Sequence, residues 1–106
     1  MNKYKVLIQG HNLLMGVERQ IEKYGFYTTR FVEAYTADSA TEIALDEFVA
    51  ERKWQDLVGG LRNARSDPPR LTVERSDIEQ LDSFDYVENR YPGYALYKED
   101  GEESDM

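Results

Sequence analysis

The chain has no cysteine, one histidine, three prolines and no long apolar run. Without cysteine there can be no disulfide, zinc–thiolate centre, iron–sulfur cluster or cysteine nucleophile. The absence is compatible with a reducing compartment. The opening residues Met-Asn-Lys-Tyr-Lys run straight into an alternating pattern. No segment has the length of a signal-peptide core or a membrane span. The expectation is a cytoplasmic protein that does not enter a membrane.

Basic residues are scarce in the last third. Residues 1–70 balance their charges, whereas residues 71–106 hold three basic and eleven acidic side chains, and so the whole net charge of −8. That charge disfavours binding to a phosphate backbone. It permits a basic protein partner, with solubility as the plainer reading.

The 106 residues fit one domain. With 41% apolar and 12% aromatic residues the composition is that of a folded chain. Residues 1–97 are assigned to a single α+β domain, and residues 98–106 to an acidic, disordered tail.

Tyr4, Val6 and Ile8 alternate with Lys5, Leu7 and Gln9, which is a strand signature. His11–Gly25 reads as an irregular connection, with a short helical turn over Val17–Tyr24. Phe26–Tyr35 is rich in aromatic and β-branched residues and predicts a second strand. Its Tyr27, Phe31 and Tyr35 face is the more apolar and is assigned to the helix side.

A helix is expected from a cap at Thr36, Asp38 or Ser39, the last in a capping box with Glu42. Ala37, Ala40, Ile43, Ala44, Phe48, Trp54, Val58 and Leu61 fall in one arc at helical spacing. Glu47 and Glu51 interrupt that arc, which predicts a break near Ala50–Arg52. Gly59-Gly60 stops the second piece. A loop with Pro68-Pro69 leads to a strand at Leu71–Arg75, and Tyr94–Tyr97 suits an edge strand. The expected fold is α+β: a mainly antiparallel sheet with one long, broken helix packed on one face.

No catalytic motif, phosphate loop or metal signature occurs, and no cofactor or metal is expected. The acids Glu74, Asp77, Glu79, Asp82 and Asp85 lack the spacing of a calcium loop and read as a solvated face. His11 is a candidate base or ligand, with no acid fixed beside it by spacing. Arg62, Arg65 and Arg70 form a cluster able to hold a carboxylate or phosphate. Tyr24, Phe26, Tyr27, Arg30 and Phe31 are a candidate recognition strip, of the kind that stacks bases.

Leu45 and Val49, one helical turn apart and off the main arc, suggest an interface between two copies. The leading expectation is therefore a binding or interaction module acting as a homodimer. The alternatives are a small enzyme or ligand-binding protein with a site shared between subunits, using His11, Arg30 or the loop arginines, and a nucleic-acid-associated protein.

Overall fold

The computed structural model describes residues 1–17, 20–59, 69–83 and 94–99. Two long strands, β1 (Asn2–Val17) and β2 (Gln20–Ala34), pair antiparallel along their whole length. Helix α1 (Ala37–Val49) and helix α2 (Arg52–Gly59) follow. Then come β3 (Arg70–Thr72), a 3₁₀ turn (Arg75–Asp77), β4 (Ile78–Leu81) and β5 (Ala95–Lys98). The sheet has the order β3-β1-β2-β5, and β4 also pairs with β1. The protein is an α+β fold, a five-stranded antiparallel sheet with α1 packed on one face.

The connection expected over His11–Gly25 is instead the far half of the hairpin. The local pattern misled because β1 contains a bulge. The register moves from Gly10 opposite Phe26 to Leu13 opposite Tyr24, so one extra residue is absorbed. Asn12 takes the left-handed conformation with φ 64°. Asparagine tolerates this region better than most residues. Beyond the bulge the inward positions change from even to odd numbers, so Leu13 and Met15 continue the core line of Tyr4, Val6 and Ile8.

The two faces of β2 are opposite to the expected assignment. Phe26, Thr28, Arg30, Val32 and Ala34 are buried, whereas Tyr27 and Tyr35 are exposed and Phe31 is half-buried. Pairing with β1 decides this. Tyr4, Val6 and Ile8 stand opposite Val32, Arg30 and Thr28, so all six share one face. Gly10 stands opposite Phe26, and a Cβ at Gly10 would overlap the Phe26 ring. Gly10→Ala should therefore cost roughly 1–3 kcal/mol through overpacking, read by urea unfolding. An unchanged midpoint would show that the ring can move aside.

α1 starts where Thr36 caps it, its hydroxyl accepting the Ser39 N–H at 3.1 Å. Ala40, Ala44 and Phe48 are buried, and Ile43 packs on the core beside them. The break falls at Ala50–Glu51, and α2 returns Trp54 to the same core. Phe26, Phe48, Trp54 and Tyr94 form one aromatic cluster, with ring centroids between 5.1 and 5.9 Å for the pairs in contact.

The expected strand over Leu71–Arg75 is shorter. β3 ends at Thr72 and the 3₁₀ turn holds Arg75. The expected edge strand is found as β5. Lys98 belongs to it and pairs with Glu22 at 2.7 Å, while the Glu99 N–H bonds the Lys23 carbonyl. The proposed tail therefore gives up Lys98 and Glu99 to the sheet, and residues 100–106 lie outside the described residues. No described helix is long and apolar enough to cross a membrane.

Candidate functional site

Arg30 is the first candidate, and the fold withdraws it from any ligand. Its guanidinium lies under α1 with two N–H groups on Glu51, Nε to Oε2 at 3.0 Å and Nη2 to Oε1 at 2.8 Å. Nη1 donates to the Thr28 hydroxyl and to the Thr29 carbonyl. The Phe48 ring lies 5.2 Å from its central carbon. Glu51, which breaks the apolar arc in sequence, is thus the counter-ion of a buried cation. The expected Tyr24–Phe31 recognition strip is divided, because Phe26 and Arg30 face the helix and Tyr27 faces away.

The Tyr94 hydroxyl is buried beside this pair, with no hydrogen-bond partner among the described residues. Burial pushes its pKa above the ordinary value of 10.0, and the Glu51 charge adds to this. The nearby Arg30 guanidinium opposes both. A raised phenol pKa means that the unfolded state loses its proton first. Stability contributed by the neutral phenol is present below about pH 10 and falls as pH rises past it. Tyr94→Phe should leave the melting temperature equal or higher at neutral pH, since it removes an unsatisfied hydroxyl. It should also flatten the alkaline fall. A lower melting temperature at neutral pH would show that the hydroxyl has a partner.

The remaining arginine candidates do not assemble into a described site. Arg62 and Arg65 lie outside the described residues. Arg70 is on β3, opposite His11. A shallow groove of about 350 Å³ between α1 and the β3–β4 segment is lined by Ala37, Asp38, Thr41, Val73, Arg75 and Ile78. It mixes both signs of charge, and its Thr41 hydroxyl is committed to the Ala37 carbonyl. Among the described residues no three His, Asp or Glu side chains gather as a metal site. Leu45 packs partly against the core, while Val49 is 41% exposed.

The sheet face opposite α1 gathers more chemistry than any of these. Thr72 stands opposite Gln9, and Gln9 opposite Tyr27. Gly25 stands opposite Tyr97, whose ring lies where a Gly25 Cβ would be. The Tyr27 and Tyr97 rings are 5.4 Å apart at 33°. Gln9 Nε2 donates to both phenol oxygens, at 3.2 Å to Tyr27 and 3.0 Å to Tyr97. Each oxygen that accepts from Gln9 keeps its own O–H to donate elsewhere.

Beside them, His11 lies between two neighbours. His11 Nε2 lies 2.9 Å from Thr72 Oγ1, and Nδ1 lies 3.5 Å from Glu99 Oε2. The other carboxylate oxygen of Glu99 accepts the Asn12 N–H at 2.7 Å. Four strands thus place Thr72, His11, Gln9, Tyr27, Tyr97 and Glu99 side by side. Of these, the sequence points to His11 as a site residue and to Tyr27 within the recognition strip. The others come from positions 9 to 99, and only the strand pairing unites them. No family model matches the chain, and neither a curated protein nor a solved structure matches it.

Proposed function

We propose that the protein is a small binding module whose working surface is the sheet face opposite α1. The observation that carries this is the pair of tyrosines held by Gln9. Tyr27 is 38% exposed although it is ordered by a ring neighbour and a hydrogen bond. Aromatic groups fixed in advance lose little freedom on binding, which is why tyrosine recurs at interface hot spots. Both phenols offer O–H donors beside apolar rings. The complementary partner is a protein segment that presents carbonyl acceptors and an apolar body. The net charge of −8 favours a basic one. The lack of cysteine accords with a cytoplasmic setting.

The test compares Tyr27→Ala/Tyr97→Ala with Tyr35→Ala, a control at a residue that is 75% exposed. A protein retained by both the parent and the control would then be purified and titrated against all three. Loss of two hot-spot residues should weaken its affinity by at least about 30-fold, at roughly 2 kcal/mol or more. Equal affinity for parent and double variant overturns the reading.

Self-association through α1 is part of the proposal. Leu45 already packs inward, so a two-fold contact would rest on exposed Val49 and the rim of Leu45. Val49→Lys should shift light scattering from dimer to monomer with the circular dichroism unchanged. A parent that is monomeric at high concentration removes the dimer.

A further inference from the structure

We propose that Thr72, His11 and Glu99 form a nucleophile–base–acid relay that hydrolyses small, exposed acyl esters. This goes beyond partner binding: its three relay residues are not the tyrosine pair, which enters only as a neighbouring source of O–H donors. The geometry is that of a proton path. The hydroxyl and the imidazole are at hydrogen-bond distance, 2.9 Å, with the carboxylate at 3.5 Å from the other ring nitrogen. A general base must reach the proton that it takes, and distances to the orienting group are often long before substrate binds. Thr72 lies on β3, His11 on β1 and Glu99 directly after β5, where its N–H bonds the Lys23 carbonyl of β2, so the relay is positioned by the sheet.

The carboxylate sets the tautomer. Glu99 beside Nδ1 favours a proton there, which leaves Nε2 free to accept from Thr72. Glu99 is itself fixed, because its second oxygen holds the backbone N–H of Asn12. Gln9, the cross-strand partner of Thr72, holds the two phenol oxygens, so both phenols share a face with the nucleophile. Phenol donors can stabilise a developing oxyanion. Thr72 is exposed on an open face, which suits acyl groups that need no deep pocket.

In the reaction Thr72 Oγ attacks the acyl carbonyl as its proton passes to His11 Nε2. The carbonyl–alkoxide bond breaks, and the leaving alkoxide takes that proton. Water then attacks the acyl-threonine and gives a proton to His11. The carboxylic acid leaves as Thr72 Oγ recovers the proton. One ester and one water become one acid and one alcohol, with no redox change.

The test uses the full chain and p-nitrophenyl acetate. Nitrophenol release is followed, and the quenched protein is mapped by tandem mass spectrometry. An acetyl group on Thr72 is expected in the parent. It should be absent in Thr72→Ala and restored in Thr72→Ser. His11→Gln should slow release by at least about 100-fold, the lower end for general-base catalysis. Because Thr72 is exposed, its variants keep the fold, which the melting temperature verifies. Release unchanged in Thr72→Ala, or acetylation confined to lysines, overturns the relay. Neither result decides the tyrosine pair, whose own test is the Tyr27→Ala/Tyr97→Ala titration.

Discussion

Phe48→Ala is expected to lower the unfolding free energy by about 3–5 kcal/mol, the usual cost of emptying a buried aromatic site. Phe48 is fully buried and touches Phe26, Trp54 and Tyr94. Its ring also lies against the Arg30 guanidinium. Truncation would remove one wall from each of these contacts, and neither α1 nor the sheet can close the gap without moving the helix. Such a loss approaches the whole stability of an ordinary small domain. Urea unfolding measures it. A change below about 1 kcal/mol would mean that α1 does not pack through this face.

Glu51→Ala should cost about 2–3 kcal/mol. Removing one partner of a fully buried ion pair costs roughly 3–5 kcal/mol, because the other charge is left without compensation. The lower figure applies because the Glu51 side chain is 37% exposed, so water can partly replace it. The Arg30 side chain is 8% exposed and cannot be solvated so well. The two partners should therefore be unequal. Arg30→Met leaves a carboxylate that water can reach and a few unpaired oxygens, and should cost only about 1–2 kcal/mol. A larger loss for Arg30→Met than for Glu51→Ala would show that the arginine acts through its packing and its bonds to Thr28 and Thr29.

That ion pair shows what could be read from the chain and what could not. The helical arc, its break and its cap are local properties of spacing, and α1 and α2 follow them through Phe48, Trp54 and Thr36. The alternation of Tyr4, Val6 and Ile8 is local as well. The face of β2 is not. By composition Tyr27, Phe31 and Tyr35 look more like core than Thr28, Arg30 and Val32. What inverts them is a carboxylate 21 residues later that neutralises Arg30, and a glycine at position 10 that admits Phe26.

The candidate site was still less legible. His11 could be named because it is the only histidine, but Thr72 is 61 residues away. Glu99 belongs to an acidic tail by composition, yet its carboxylate accepts the Asn12 N–H and lies 3.5 Å from His11 Nδ1. A cross-strand register is set by the whole sheet and leaves no trace in any short window.

The bulge also marks where the chain is longer than its core needs. Without Asn12, plain alternation would run Gly10 inward, His11 outward and Leu13 inward, and every later core residue would keep its side. Asn12 is itself buried, but the alternation on either side of it does not depend on it. What it supplies is an extra backbone N–H for Glu99, the carboxylate beside His11. Bulges recur beside functional sites. A chain with Asn12 deleted should still melt cooperatively as the same sheet, while losing the Thr72 acetylation. The count of residues along β1 therefore separates the alternating run that builds the fold from the one extra residue that fixes Glu99.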